Sequence, residues 1–314
     1  MSAGGFGDTD GFVDAAAFDA LYRGLKAGWG PDDRRGALNH LGPAQVLAAA
    51  REVRSGRTVT LAAPVQTRPA PDAPEPCRHE MLGGVAGQSA DTGPDFARDR
   101  LTINVHGDVN SHLDALCHVI YNSTLYNGVP AATLTAQGAT ALSVDVARDG
   151  IVGRGVLLDI PRLRGVPWLE PGDAVTGADL AAAEQAQELT VGQGDLLFVR
   201  VGHRRRRNEL GAWDTARTRA GLHPAALRFV AQRRVALLGC DSNSDIAPSV
   251  AEGVGFPVHV LALNAMGLQL LDYLQFEDLL AICEQQRRWA FLCVVAPLRF
   301  PAATGSPVNP IGVL

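Results

Sequence analysis

The chain has 314 residues, of which 46% are apolar and 19% are charged, a composition typical of a globular protein with a sizeable core. Its formal charge of −5 gives no reason to expect a nucleic acid or an anionic membrane as a partner. The start of the chain lacks a basic segment followed by an apolar one, and no apolar run approaches the length of a membrane span. We therefore expect a soluble, cytoplasmic protein.

The sequence predicts a tail, one domain and, inside that domain, a long irregular loop. Residues 1–20 are predicted to be a flexible tail. Residues 21–314 are predicted to form one mixed α/β domain, because they show no internal repeat and no break in composition. Within that domain, residues 66–98 hold many prolines and glycines without periodicity, which predicts either disorder or a functional loop over a site.

Strand and helix signals alternate along the rest of the chain, which predicts the α/β class. A capping box at Thr176 and Asp179 predicts the start of one helix. The predicted helices cover residues 44–54, 180–186 and 224–233, and the predicted strands cover residues 58–62, 101–106, 155–160, 196–201, 235–238 and 291–296. Polar loops are predicted over the basic run 204–207 and over residues 241–245, where Asp241 and Asp245 follow a strand end.

Five cysteines are scattered along the chain, odd in number and without C-x-x-C spacing. This usage predicts reduced, mostly buried thiols rather than a disulfide framework. They are Cys77, Cys117, Cys240, Cys283 and Cys293. Cys117 stands next to His118 and is a candidate nucleophile, although a buried cysteine of this kind is more often a small apolar core residue.

The segment that carries chemistry runs from residue 104 to residue 118. Polar and apolar or small residues alternate from position 106 to position 114, so an extended chain would place the polar groups on one face. On that face His112 and Asp114 are immediate neighbours and could share a metal ion. A helix over residues 115–118 would then return His118 to the side of Asp114 through its i, i+4 spacing.

Two imidazoles and a carboxylate at a strand-to-helix junction suit Zn²⁺, Mn²⁺ or Fe²⁺ better than Ca²⁺ or Mg²⁺. The competing interpretation is that these are satisfied polar groups at a helix start, with Asp114 as the N-cap. Three of the chain's 8 histidines fall between positions 106 and 118, which favours a metal site.

Residues 111–118, Ser-His-Leu-Asp-Ala-Leu-Cys-His, resemble the H-x-G-T-H-x-D-x-x-x-H signature of the cyclase family of metal-dependent hydrolases. That family includes bacterial kynurenine formamidase, isatin hydrolase and trans-dienelactone hydrolase. Further similar segments follow in the family's order along nearly the whole chain, at residues 29–39, 152–159, 194–195, 239–241, 257–259 and 305–310. The resemblance implies a swivelling β/β/α-type single domain that assembles as a homo-oligomer, a dimer or a tetramer.

The resemblance also assigns site residues. It implies that His112 and Asp114 are metal ligands and that His118 is either a ligand of a second ion or the general acid and base. It implies two later ligands, His259 and Asp272. The chain departs from the signature four residues before His112, where the family has a histidine and this sequence has Asp108. Either Asp108 coordinates, or His106 takes that place after a local shift.

The local sequence around His259 is compatible with this assignment. Pro257 is a good first helical residue and Gly267 a good C-cap. A helix, a glycine turn and a short strand over residues 268–271 could bring Asp272 back beside the helix start. Without the first cluster, His259 would be interpreted as a capped or packed histidine.

Together these features predict a hydrolase that cleaves a C–N or C–O bond of a small amide, lactam or lactone by metal-activated water. The expected cofactor is one or two divalent transition-metal ions, Zn²⁺ or Mn²⁺. His118 is expected to carry the proton to the leaving group. Trp29, Met81 and the loop 66–98 are predicted walls of an apolar substrate pocket, although ordinary packing explains Trp29 and Met81 equally well.

Three other functions stay open on the sequence. One is a metal-dependent cyclase or dehydratase, in which the metal acts as a Lewis acid for ring closure. Another is a catalytically inactive relative that acts as a binding protein after the change at Asp108. The third is a cysteine hydrolase with Cys117 as the nucleophile, which would keep its activity in a chelator.

Overall fold

A nine-stranded sheet organises the part of the chain that the computed structural model describes, residues 11–84, 94 and 96–314. The strands are β1 (Thr58–Thr60), β2 (Arg78–Gly83), β3 (Arg98–Thr102), β4 (His112–Asp114), β5 (Leu134–Thr135), β6 (Gly138–Ala139), β7 (Ile151–Asp159), β8 (Ala174–Val175), β9 (Leu196–Arg200), β10 (Gly221–Leu222), β11 (Leu237–Cys240), β12 (Gln269–Asp272), β13 (Ala290–Val295), β14 (Gly305–Pro307) and β15 (Ile311–Val313). The sheet order is β1-β15-β13-β7-β9-β11-β12-β4-β14.

Helices pack around this sheet. In the described residues they are α1 (Ala15–Gly24), α2 (Pro43–Ala50), α3 (Ile160–Arg164), α4 (Gly177–Ala186), α5 (His203–Leu210), α6 (Leu227–Gln232), α7 (Pro257–His259) and α8 (Glu277–Gln286). A π-helical segment, Val260–Met266, continues α7, and short 3₁₀ helices cover Gly36–His40, Tyr126–Gly128, Ala131–Thr133, Val144–Ala147 and Pro224–Ala226. The mixed α/β single domain predicted from the sequence is confirmed.

The centre of the sheet is parallel and its flanks are antiparallel. Strands β7, β9, β11 and β12 pair in parallel, while β4 adds to β12 in the antiparallel sense. Every residue of β9, β11 and β12 is buried, which explains their largely apolar sequences; the polar residues Arg200, Gln269 and Asp272 at the strand ends are buried as well. Because β11 and β12 are parallel, their carboxyl ends lie at the same edge of the sheet, and β4 pairs with β12 there.

Strands β2 and β3 form a separate antiparallel hairpin; β2 lies within the predicted irregular loop 66–98, and β3 begins where that loop ends. The strand predicted over residues 101–106 lies earlier, at Arg98–Thr102, and every residue of it is exposed. Residues 103–106, which the prediction included, are not part of a strand. The part of the predicted loop at residues 85–93 and 95 lies outside the described residues.

Two other sequence-based expectations differ from the structure near the surface. Helix α1 begins at Ala15, inside the tail predicted over residues 1–20; it buries Phe18, Leu21 and Tyr22, and Asp14 caps its first turn, while residues 1–10 lie outside the described part. The basic run 204–207 is helical rather than a polar loop, since it belongs to α5. Its first arginine, Arg204, is buried and donates to backbone carbonyls.

The five cysteines are free and buried, as the sequence predicts. No helix among the described residues combines the length and apolar character needed to cross a bilayer.

Candidate metal centre

Four histidines and two aspartates converge where β4 pairs with β12. The antiparallel register sets His112 opposite Asp272 and Leu113 opposite Leu271. Because neighbouring side chains in a strand point to opposite faces, His112 and Asp114 share one face while Leu113 packs into the core on the other. The register therefore brings ligand-type side chains from two distant parts of the sequence together.

Asp114 is the centre of the cluster. Its Oδ1 atom lies 2.8 Å from His106 Nδ1, 3.6 Å from His112 Nε2 and 4.0 Å from His118 Nε2. Its Oδ2 atom lies 3.4 Å from His259 Nε2. One fully buried carboxylate is thus surrounded by four imidazoles, a donor set that transition metals favour.

Two carboxylate oxygens in the cluster lack a hydrogen-bond donor. Asp114 Oδ2 and Asp272 Oδ2 are buried without a hydrogen-bond partner among the described residues, and each lies 3.4 Å from His259 Nε2. A buried carboxylate oxygen without a donor or a cation is costly. The ligand atoms of Asp114, His259 and Asp272 lie within 4.8 Å of one another, as do those of His106, His112 and Asp114. These residues fit one or two divalent ions, with Asp114 common to both groups.

Outer hydrogen bonds leave one atom of each candidate ligand directed at the centre. His112 Nδ1 lies 2.8 Å from the Asn110 carbonyl oxygen, so the hydrogen sits on Nδ1 and Nε2 is available as a ligand. The Oδ1 atom of Asp272 accepts hydrogen bonds from the Ser244 hydroxyl at 2.7 Å and from the Ser244 backbone N–H at 3.1 Å. Such outer partners fix the tautomer and the orientation of metal ligands.

His259 is positioned by the start of its helix. The backbone N–H groups of Val258 and His259 donate to the Asp245 carboxylate, at 2.6 and 3.0 Å. The helix begins at Pro257, continues as the π-helical segment and ends at Gly267, whose φ of 64° is left-handed. The helical segment therefore begins at Pro257 and ends at Gly267, as the sequence predicts. Asp245, which the sequence left as a plain loop residue or a functional one, is buried against His259.

The charges of the cluster are strongly coupled. Burial opposes the charged form of Asp114, but the neighbouring histidines hold the pKa of this carboxyl well below its ordinary value. Burial likewise opposes the charged form of His259, but the neighbouring carboxylates of Asp114, Asp245 and Asp272 hold its pKa well above the usual value. Burial lowers the pKa of His118 to about 4, despite the nearby Asp114 carboxylate.

The structure places His106, rather than Asp108, next to Asp114. The segment predicted to be extended from position 106 is strand only over His112–Asp114, and the residues before it turn back, so that His106 reaches Asp114. Asp108 instead accepts a hydrogen bond from the Tyr273 hydroxyl at 3.1 Å. The extended segment considered from position 106 therefore forms a strand only over β4, where the alternation places His112 and Asp114 on one face, as expected.

His118 reaches the cluster without the predicted helix. Residues 115–118 form a turn in which the His118 N–H donates to the Ala115 carbonyl at 2.9 Å. The His118 ring stacks on His106, with ring centroids 3.8 Å apart, and its side chain remains partly exposed to a cavity. It therefore stands at the border between the buried ligand atoms and the space for a substrate.

This cavity has a volume of about 470 Å³ and opens above the cluster. Its polar side is formed by histidines 106, 112, 118 and 259 with Asp108, and its apolar side includes Ile120, Val254 and Phe256. Trp29 and Met81, predicted as pocket walls, do not line it. Trp29 packs edge-on against His40 and Met81 is exposed on the β2–β3 hairpin, because neither segment extends to the edge where β4 and β12 meet.

Two other candidates lie away from this cavity. Cys117 is completely buried, and burial raises its thiol pKa to about 11, which disfavours a thiolate nucleophile. Asp241 accepts from the backbone N–H groups of Val201 and Gly202, and burial raises its pKa to about 6. Sequence reasoning missed Ser244, Tyr273 and Phe256, for which the only signal is their position next to loop or ligand residues.

A sequence model of the Cyclase family, described as putative cyclase, matches residues 45–244. A solved structure described as a novel cyclase is 30% identical with a TM-score of 0.82, covering 93% of this chain and 99% of that chain. Isatin hydrolase A from Ralstonia solanacearum is 21% identical with a TM-score of 0.58, covering 86% of this chain and 95% of that chain. Among curated proteins, none matches the chain.

A further solved structure, of a predicted metal-dependent hydrolase from Bacillus stearothermophilus, is 17% identical with a TM-score of 0.52, covering 82% of this chain and 97% of that chain. At these low identities, the likeness to the two hydrolases shows a shared fold.

Proposed function

This chain belongs to the Cyclase family, and from that premise we propose that it is a metal-dependent hydrolase acting on a small amide, lactam or lactone. The observation that carries the proposal is the pair of buried oxygens, Asp114 Oδ2 and Asp272 Oδ2, that face His259 Nε2 without a hydrogen-bond donor in the described part of the chain. A divalent cation between these atoms would offset the cost of burying two carboxylates. The isatin hydrolase and metal-dependent hydrolase folds support the same class of reaction.

Asp114, His259 and Asp272 would hold one ion, and His106, His112 and Asp114 would hold a second. A mixed nitrogen and oxygen set of this kind suits Zn²⁺ or Mn²⁺. When bound, the metal supplies a Lewis acid that polarises a carbonyl group and makes water a better nucleophile at neutral pH.

The protein's own side chains would position the reactants and move the proton. His118 lies on the cavity side of the cluster, where its imidazole can accept the proton from the attacking water and donate it to the leaving nitrogen or oxygen. Asp245 holds the His259 ring, and Ser244 holds Asp272. Ile120 and Phe256 provide an apolar wall against which the body of a small substrate can pack.

Metal analysis combined with turnover tests the proposal. The purified protein should bind between one and two equivalents of Zn²⁺ or Mn²⁺ and hydrolyse members of an amide, lactam and lactone panel, and a chelator should abolish that turnover reversibly. His259→Ala and Asp272→Asn should lose both metal and activity. His79→Ala, on the exposed hairpin, is the matched control and should keep both.

Retention of full turnover by a metal-free protein would overturn the proposal. Isotopically labelled water separates hydrolysis from the cyclase or dehydratase alternative, because only hydrolysis places solvent oxygen in the acyl product. A protein that binds metal but turns over no member of the panel would instead favour the non-catalytic relative.

We further propose that the protein is cytoplasmic and assembles as a homo-oligomer. Five free, buried cysteines support a reducing, cytoplasmic environment. The β2–β3 hairpin exposes Met81, Leu82 and Leu101, and a two-stranded hairpin is only marginally stable on its own, which supports a homo-oligomer. Light scattering coupled to size exclusion would measure the assembly, and a monomer at micromolar concentration would contradict it.

A further inference from the structure

Asp108 occupies the position where the cyclase signature has a histidine, and its carboxylate lines the cavity. Its Oδ1 atom accepts from the hydroxyl of Tyr273, a residue that is 1% exposed and therefore rigidly placed. No donor among the described residues bonds to the other oxygen, Oδ2. The Oδ1 atom is thus held by Tyr273, and the Oδ2 atom is available to accept a hydrogen bond from a ligand.

The rest of the lining restricts what that ligand can be. The same cavity is also lined by the apolar residues Ile120, Val254 and Phe256. The Phe256 ring is half exposed; the Arg219 guanidinium lies 5.3 Å from its centroid, and the His259 ring lies near it with centroids 5.7 Å apart. None of the cavity-lining residues in the described part of the chain is lysine or arginine. A ligand with an acidic group remote from its reacting carbonyl would find neither lysine nor arginine among these described lining residues.

We propose that Asp108, anchored by Tyr273, is the substrate-recognition group of this site and that it accepts a hydrogen bond from an N–H or amino group of the substrate. The inference rests on the proposed hydrolase function and narrows it. The substrate class is an amide or lactam with a free N–H, an apolar body against Phe256, and no additional acid group.

The chemistry of a carboxylate explains this selectivity. An ionised carboxylate only accepts hydrogen bonds, so an N–H group pairs with it, whereas an ester oxygen or an N-methyl group does not. Binding such an analogue would remove water from Asp108 without giving its carboxylate a new hydrogen-bond donor. The resulting loss of binding free energy is how a site rejects a substrate that lacks the donor.

The test uses three matched compounds: an aryl formamide with its N–H, the N-methyl formamide, and the aryl formate ester. Binding to the metal-loaded wild type is measured by calorimetry, and kcat/KM is measured where turnover occurs. We expect the N–H compound to be favoured over its N-methyl analogue by about 10–100-fold. In Asp108→Leu that ratio should fall to within about threefold of unity, and in Tyr273→Phe it should fall partway, because the carboxylate loses its anchor.

Metal content is the second readout. Asp108→Leu should retain the metal content of the wild type, as should the surface control Asp19→Asn. Loss of metal in Asp108→Leu would show that Asp108 is a ligand and would overturn the recognition role while leaving a metal-dependent hydrolase intact. An unchanged N–H preference in Asp108→Leu, or failure of the N–H compound to bind the metal-loaded wild type, would also overturn it. Absence of metal in the wild type would instead defeat the proposed function itself.

Discussion

The Nδ1 atom of His259 lies 2.6 Å from Oδ2 of Asp245, and both side chains are buried. The same carboxylate accepts the backbone N–H groups of Val258 and His259, so it holds both the helix start and the ring that projects from it. This arrangement directs His259 Nε2 toward Asp114 and Asp272. In the proposed metal centre, Asp245 would therefore be a positioning residue that acts through His259.

Asp245→Asn should weaken metal binding by about 10–100-fold, because the neutral amide holds the His259 ring less firmly and lowers its basicity. The amide oxygen can still accept a backbone N–H, so the fold should persist. Competition with a chromophoric chelator measures the affinity, and circular dichroism checks folding. A folded variant with the wild-type dissociation constant would contradict the positioning role.

His118→Ala should reduce kcat by about 10²–10⁴-fold, the usual contribution of a positioned acid or base. Metal content should remain, because His118 Nε2 is 4.0 Å from Asp114 Oδ1 and lies outside both candidate ligand groups. Added imidazole should restore part of the rate if the missing function is proton transfer. Loss of metal together with rate, and no rescue by imidazole, would identify His118 as a ligand.

Arg204→Met should destabilise the protein by about 3 kcal/mol or more. The guanidinium of Arg204 is buried and donates to the carbonyls of Val109, Tyr273 and Leu274, which would be left without this donor. Urea unfolding at fixed pH measures the free energy. Arg205→Met is the matched control one residue along the same helix, where the pair with Glu209 is exposed, and it should change stability by only about 0.5 kcal/mol or less. Equal effects of the two substitutions would contradict the structural role of Arg204.

Asp241 should make stability pH-dependent, because burial raises its pKa from 3.8 to about 6. A raised pKa means that the folded state binds the proton more tightly than the unfolded state does. The resulting stabilisation, up to about 3 kcal/mol, is fully present below about pH 4 and is lost as the pH rises through about 6.

The measurement compares urea unfolding of the wild type and Asp241→Asn between pH 4 and 7, in chelator so that metal binding does not contribute. The wild type should lose stability relative to the variant as the pH rises across this interval. Parallel stability curves for the two proteins would show that Asp241 titrates alike in the folded and unfolded states.

Much of the fold could be predicted because its signals are local. The apolar runs near residues 155–160 and 196–201 indicated buried strands, and they form β7 and β9 at the parallel centre of the sheet. The capping box at Thr176 and Asp179 is present, with the Thr176 hydroxyl accepting from the Asp179 N–H at 3.1 Å. Local patterns of this kind report burial and helix ends directly.

The surface was less predictable. Arg204 belongs to a run of four arginines that would normally be solvated, yet it is buried under residues distant in the sequence. Strand β2 lies in a segment rich in proline and glycine and was not predicted, although its partner β3 overlaps a predicted strand. In both cases the determining contacts are long-range, so the local sequence carries little information about them.

The α/β class, the family and the residue types available for a metal centre could be inferred from the sequence, because periodicity and a motif of fixed spacing indicate them. Which of those residues meet depends on the tertiary structure. The antiparallel register of β4 and β12 sets His112 opposite Asp272, and a turn brings His106 rather than Asp108 to Asp114. The physical reason is that ligand geometry depends on distances of a few ångströms between segments that lie more than 100 residues apart, and strand pairing and core packing set those distances.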